Sequence, residues 1–66
     1  MTVTEGKILN RVAGVVNTKL KFSSGETKDI RFRWRGAGFW DIDTMGLSEL
    51  QNNAANSWAS ENIDVE

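Results

Sequence analysis

Two stretches of this chain alternate polar and apolar residues with a period of two, and this pattern constrains its fold most. Residues 18–22 read Thr-Lys-Leu-Lys-Phe, and residues 30–35 read Ile-Arg-Phe-Arg-Trp-Arg. Such alternation is typical of β-strands with one buried and one solvated face. Between them, residues 23–27 (Ser-Ser-Gly-Glu-Thr) favour a turn. The sequence therefore predicts an antiparallel hairpin.

The alternation also assigns the side chains of the hairpin to its two faces. The residues predicted to face inward are Leu20, Phe22, Ile30, Phe32 and Trp34. The residues predicted to face outward, named here the basic hairpin face, are Lys19, Lys21, Arg31, Arg33 and Arg35. A slip of one residue in register would bury the arginines, so the pattern also favours one register.

A third strand is predicted at residues 39–43, which read Phe-Trp-Asp-Ile-Asp. Residues 36–38 (Gly-Ala-Gly) suit a three-residue hairpin loop, and they lack the Lys-Ser or Lys-Thr that follows a phosphate-binding loop. The inner pairs that this loop predicts are Trp34 with Trp40 and Phe32 with Ile42. The outer pairs are Arg35 with Phe39, Arg33 with Asp41 and Arg31 with Asp43. The predicted meander of three strands spans about residues 17–43.

A C-terminal helix is predicted over about residues 47–60. Ser48 and Gln51 have the spacing of a capping box, in which each side chain satisfies a backbone N–H of the other residue. The apolar stripe expected to cover the inner face of the sheet consists of Leu47, Leu50, Ala54 and Trp58.

The N-terminal segment, residues 4–16, allows two interpretations. Residues 2–5 (Thr-Val-Thr-Glu) fit a second capping box, and several apolar residues that follow have helical spacing. Gly6 and Gly14 would each weaken a helix by about 1 kcal/mol, and the valines favour a strand. We predict a short helix; the alternative is a strand from near Lys7 that continues through a bend at Gly14 into Lys19. The predicted fold class is thus α+β, in one domain with frayed ends at residues 1–3 and 62–66.

The composition argues against catalysis, cofactors and membranes. The chain has no His, Cys or Tyr, so the side chains left for catalysis are serines, lysines and carboxylates. No apolar run approaches the roughly 18 residues of a membrane span. We therefore expect a soluble cytoplasmic protein that is not an enzyme and carries no cofactor or metal.

The charges of the chain are separated along the sequence. Residues 1–35 carry eight basic and three acidic residues, net +5, whereas residues 36–66 carry six acidic residues and no basic one, net −6. Such separation favours oriented encounter with a charged partner or pairing of the two halves.

The basic hairpin face is a candidate nucleic-acid site, because guanidinium groups suit phosphates and a two-stranded ribbon fits the major groove of DNA. The alternative is a solvated face whose arginines pair with Asp41 and Asp43. In the predicted register Arg35 and Lys21 have no acid opposite them. Asp41 and Asp43 could also face a divalent cation, but a hard cation needs six or more oxygens, and we expect arginine pairing instead.

The helix has an uncharged polar face, and Asn52, Asn53 and Asn56 are its candidate contact residues. Depletion of charge is a property of interface cores, so this neutral helix face predicts a protein contact or a homodimer surface; the alternative is a simply solvated face. The first function hypothesis is a small protein-binding module: an adaptor, inhibitor or assembly subunit, of a size that suits a viral or mobile-element accessory protein. The second is a nucleic-acid-binding protein that uses the basic hairpin face.

Overall fold

The computed structural model describes residues 1–35 and 40–63, and within these residues the fold is α+β. An antiparallel sheet with the strand order β1-β2-β3-β4 is followed by one helix. The elements are β1 (Val3–Val12), β2 (Val15–Phe22), β3 (Thr27–Trp34), β4 (Trp40–Ile42) and α1 (Glu49–Asn62). The predicted fold class is confirmed, but the sheet has four strands where the sequence predicted three.

The central hairpin of β2 and β3 is confirmed in both strands and faces. Thr18 lies opposite Ile30 and Val16 opposite Phe32, so the inward residues of the two strands meet on one face. The turn between the strands contains Gly25 with φ of 92°, a left-handed conformation that glycine adopts without a Cβ clash. The predicted inward residues Leu20, Phe22, Ile30 and Phe32 are buried, and Trp34 is half-buried.

The register of β3 with β4 is also confirmed. Phe32 lies opposite Ile42, Arg33 opposite Asp41 and Trp34 opposite Trp40. The rings of Trp34 and Trp40 meet edge to face, with centroids 5.0 Å apart. The predicted loop at residues 36–38 and the predicted partner Phe39 lie outside the described residues.

The predicted N-terminal helix is wrong, because residues 3–12 form strand β1 and pair with β2. The alternative interpretation predicted the strand correctly. It continued that strand through a bend into the next one, whereas the chain reverses at a tight turn. Gly14 makes this reversal possible with φ of 76°. The flanking residues Val12 and Val15 are β-branched and lie opposite each other, as strand propensity favours.

Strand β1 is irregular and lies at the edge of the sheet. Its register shifts between Val3 and Glu5 and again between Ile8 and Asn10, so Thr4 and Leu9 are the extra residues of two β-bulges. Val3, expected in a frayed end, pairs with Phe22. At the other end Ile63 is 4% exposed and packs in the core, while residues 64–66 lie outside the described residues.

The helix begins as predicted, and Leu47, Ala54 and Trp58 of its predicted apolar stripe pack on the core, whereas Leu50 does not. Ser48 Oγ accepts a hydrogen bond from the N–H of Gln51, and Gln51 Oε1 accepts one from the N–H of Ser48, which completes the capping box. Leu50, predicted to be buried, is 60% exposed. The buried helix residues are Gln51, Ala54, Ala55 and Ala59.

Packing explains why the alanines of the helix face the sheet while Leu50 is exposed. The inner face of the sheet already carries large side chains such as Phe32 and Trp40, so the small alanines let the helix backbone approach closely. The buried amide of Gln51 is satisfied because its Nε2 donates a hydrogen bond to the carboxylate of Glu26. Trp58 is half-buried and packs on the core with its ring centroid 6.3 Å from that of Phe32.

Candidate binding site on the open face of the sheet

The helix covers one face of the sheet, and most charged side chains of the strands project from the opposite face, called here the open face. Arg11 and Lys28 are the exceptions, because they share the inner face with the helix. All five residues of the basic hairpin face are exposed there, as predicted. Their register partners on this face are acidic, amide or small polar residues, together with Val15 opposite Arg33 and one further lysine on β1. The open face therefore carries both charges. Some of its cations are bound by a carboxylate and others are not.

Two arginines of the basic hairpin face are neutralised by β4 and the residue after it. Arg33 Nη2 lies 2.8 Å from Asp43 Oδ2, and Arg35 Nη1 lies 2.5 Å from Asp41 Oδ2. These contacts are diagonal, although the backbone register sets Arg33 opposite Asp41 as predicted. Long side chains reach diagonal neighbours across a strand pair, so Arg35 has an acidic partner that does not lie opposite it in the register. The expectation that Lys21 has no acid opposite it is wrong, because β1 sets Glu5 there.

The pair of Arg33 and Asp43 also perturbs the titration of both groups. The hydrogen bond from Arg33 and then its charge lower the pKa of Asp43, with a smaller contribution from the charge of Arg31. The same hydrogen bond and the negative charge of Asp43 raise the pKa of Arg33. Both groups are therefore ionised at neutral pH, and neither is suited to proton transfer there.

Arg31 is held by amides instead of a carboxylate. Its Nε donates to Asn17 Oδ1 at 3.3 Å, and Asn17 Nδ2 in turn donates to Asn10 Oδ1 at 2.8 Å. This chain of polar groups crosses β1, β2 and β3. It orients the guanidinium without removing its positive charge.

Three lysines form a cluster at the β1 side of the open face. Lys7, Lys19 and Lys21, called here the lysine cluster, line a hollow of about 300 Å³ together with Glu5, Gly6 and Thr27. Lys7 lies directly opposite Lys19. Within the part of the chain that the structure describes, none of the three lysines forms an ion pair. The cluster thus groups three lysines without a bound carboxylate, although Glu5 lies opposite Lys21 and Asp29 opposite Lys19.

Sequence reasoning found two members of this cluster and missed Lys7. The assignment of residues 4–16 to a helix separated Lys7 from the sheet. Once β1 is known to be a strand, its pairing with β2 places Glu5 opposite Lys21 and Lys7 opposite Lys19. Alternation of charged and uncharged residues at positions 5–8 was the available signal, but Gly6 weakens it because glycine is depleted in strands.

The neutral helix face is exposed at only two of its three predicted residues. Asn53 and Asn56 are exposed, whereas Asn52 is half-buried. The exposed side of the helix also presents Leu50, which the sequence placed in the core. Two of the three predicted contact residues are therefore available at this surface.

The described residues show no arrangement for metal binding. The carboxylates of Asp41 and Asp43 are each bound by an arginine. No group of three or more Asp, Glu, His or Cys residues in the described ranges lies close enough to hold an ion.

No family model, curated protein or solved structure matches this chain in the comparisons. Among the described residues, no helix has the length and apolar character needed to cross a membrane.

Proposed function

We propose that this chain is a small, non-enzymatic protein-binding module, which docks an acidic region of a partner protein against the lysine cluster. The observation that supports this proposal is the direct opposition of Lys7 and Lys19 without a carboxylate bound to either. Like charges opposite each other destabilise a strand pair. An anionic partner converts that repulsion into attraction, so the arrangement makes sense in a complex.

The acidic residues on the same face favour a protein over a nucleic acid as the partner. Glu5, Asp29 and Asp43 are exposed among the cations. A phosphate backbone is uniformly negative and would be repelled at these positions, whereas a protein surface can match both signs. The aromatic residues of β3 and β4 pack inward, so they do not offer the stacking platform that single-stranded nucleic acids require.

The open face and the helix α1 differ in charge, which would orient the partner before contact. The open face carries the lysine cluster and Arg31, whereas the described part of α1 contains the acids Glu49 and Glu61 and has no basic residue in its last turn. A field of this kind steers association and lowers the rate of encounters in the wrong orientation.

The experiment that tests this function compares capture of partners by three forms of the protein. The wild type, the double variant Lys19→Glu/Lys21→Glu and the control variant Asn53→Lys/Asn56→Lys are immobilised and exposed to extract from the source organism. All four positions are exposed, so the variants should fold. We expect a specific protein that is retained by the wild type and by the helix variant but lost by the lysine variant.

Other results of the capture experiment would contradict the proposal. A partner lost by the Asn53→Lys/Asn56→Lys variant and kept by the lysine variant would move the contact to the neutral helix face. A partner kept by both variants would exclude both surfaces.

Nucleic-acid binding is the second candidate function, and the observation that favours it is the grouping of three lysines in one hollow next to Arg31. It is tested by fluorescence anisotropy of labelled single- and double-stranded DNA and RNA at several salt concentrations. Binding in the micromolar range that falls steeply with salt, and is lost in Lys19→Glu/Lys21→Glu, would replace the protein-binding proposal. We expect no such binding.

A further inference from the structure

The outer edge of β1 exposes backbone groups that strand pairing could use. The N–H of Trp34 donates to the carbonyl of Gly14, so the backbone N–H and C=O groups of the even-numbered residues of β3 form hydrogen bonds with β2. Alternation along the antiparallel ladders then directs the odd-numbered residues of β2 toward β1. Their β1 partners include Glu5 and Lys7. The N–H and C=O groups of the alternate residues, Gly6 and Ile8, consequently point away from the sheet.

The charged side chains beside this free edge are complementary to those of a second copy of the same edge. Two copies of β1 that pair antiparallel about a twofold axis at Gly6 bring Glu5 of each copy opposite Lys7 of the other. These are the closely spaced, non-hydrogen-bonded positions of such a ladder, with Cα atoms about 4.5 Å apart. Lys7, which faces Lys19 within its own sheet, would thereby gain a carboxylate on its other side.

We propose that the chain forms a homodimer in which two β1 edges pair antiparallel about Gly6, so that the two sheets join into one of eight strands. The contact is β-augmentation: main-chain hydrogen bonds supply affinity and the two Glu5–Lys7 pairs select the register.

Other registers of the same edge are disfavoured by charge or by the bulges. A shift that keeps the same residues hydrogen-bonded and the same side chains on each face moves the twofold axis to Lys7 or to Glu5. Either shift places two side chains of like charge, one from each copy, opposite each other. A larger shift draws the bulge at Leu9 into the centre of the interface, whereas the proposed register places the bulge residue Thr4 only at its two ends, opposite Ile8. Bulges and lysines commonly protect edge strands from pairing, and here they leave residues 5–8 as the regular stretch.

The helix side of the edge is compatible with this pairing. A side chain at the central position would stand between the two indoles of Trp58, but Gly6 has none, and Trp58 already lies directly over it. Trp58 is half-buried in the single chain, and its position over Gly6 would bring it close to the second copy. Indole rings so placed favour association through apolar contact.

The dimer would place both open faces on the same side of the joined sheet, because the twofold axis is perpendicular to it. Two copies of Lys19 and Lys21 would then flank the axis, and a partner with two acidic regions would gain avidity. The pairing uses Lys7 but neither Lys19 nor Lys21, which stay available to a partner, and it does not depend on the proposed function.

The dimer is tested by sedimentation velocity of the full chain at concentrations from about 1 µM to about 1 mM, the range of weak complexes. We expect a reversible monomer–dimer equilibrium. Lys7→Glu sets like charges opposite each other at two symmetric positions and should raise the dimer Kd about tenfold or more. Glu5→Lys should do the same, and the double swap Glu5→Lys/Lys7→Glu should restore dimerisation.

The control variant is Arg31→Glu, which makes the same change of charge two strands away from the edge and should leave the dimer Kd within about threefold of wild type. Hydrogen exchange followed by NMR adds a readout of register: the amides of Gly6 and Ile8 should be protected only at dimer-forming concentrations. A monomer throughout the concentration range would overturn the proposal. A dimer that tolerates both single charge reversals and leaves these two amides unprotected would also overturn it.

Discussion

At the scale of single residues, Gly6 and Trp58 form the tightest steric fit among the described glycines. A Cβ built on Gly6 would lie 2.4 Å from Cε2 and Cζ2 of the Trp58 indole, well inside van der Waals contact. The indole is also held by its stacking on Phe32, so it has little freedom to move aside. The absence of a side chain at Gly6 therefore allows a helix residue to lie against an edge strand.

We predict that Gly6→Ala lowers the free energy of unfolding by about 1–3 kcal/mol, the usual cost of overpacking. Urea denaturation measures this loss. In a Trp58→Leu background the same substitution should cost much less, because the clashing atoms are gone. An equal loss in both backgrounds would mean that the cost comes from the strand and not from the indole.

The second residue-scale prediction concerns pH. The pKa of Asp43 is lowered by Arg33, so the folded state binds fewer protons at this site than the unfolded state does. The stabilisation is therefore complete above the ordinary aspartate pKa of about 3.9 and is lost as the pH falls through the lower pKa of the folded state. An NMR titration of the Asp43 carboxyl carbon should give a midpoint below about 3.9. The midpoint should rise in Arg33→Gln, and no rise would contradict the assignment to this pair.

At the scale of the elements, the helix depends on how its first turn is capped. The reciprocal hydrogen bonds between Ser48 and Gln51 satisfy two backbone N–H groups that the helix cannot pair internally. Gln51 also anchors that turn to the β2–β3 turn through Glu26. The start of α1 is thus fixed both by its own sequence and by a contact with a distant turn.

We predict that Ser48→Ala lowers the free energy of unfolding by about 1 kcal/mol, as for other N-caps. Chemical denaturation followed by circular dichroism measures it. The control is Ser57→Ala, the same chemical change at an exposed position within the helix, which should be neutral or slightly stabilising because alanine has the higher helix propensity. Equal losses in the two variants would show that the cap contributes nothing.

At the scale of the whole molecule, one small core joins the sheet and the helix. Phe32 is fully buried at its centre, opposite Val16 and Ile42 on the neighbouring strands and beside Trp58 of the helix. A domain of this size has a net stability of about 3–5 kcal/mol. Loss of a single central side chain is therefore comparable with the stability of the whole chain.

We predict that Phe32→Ala, a change that typically costs about 3–5 kcal/mol, leaves much of the population unfolded in water at 25 °C. Leu50→Ala is the matched control, since Leu50 is 60% exposed and its truncation should shift the unfolding midpoint little. Near-UV circular dichroism and urea titration report both variants. A large loss in Leu50→Ala would mean that Leu50 is buried, as the sequence predicted.

The sequence by itself determined the elements whose signals are local. Period-two alternation predicted β2 and β3 with their faces. The length of the loop at residues 36–38 predicted the register of β3 with β4, and the pairing of opposite charges and aromatic rings agreed with it. The capping box predicted the start of the helix. Each of these patterns lies within a few residues of the contact it reports, so no distant part of the chain can change it.

The tertiary structure decided the features that depend on distant contacts. The spacing of residues 4–16 suits either a helix or a strand, and pairing with the open edge of β2 selected the strand. The helix turned its alanines and not Leu50 inward, because the sheet beneath already carried the bulky side chains. The lysine cluster and the diagonal ion pairs exist only once four strands lie side by side, since each joins residues from separate strands.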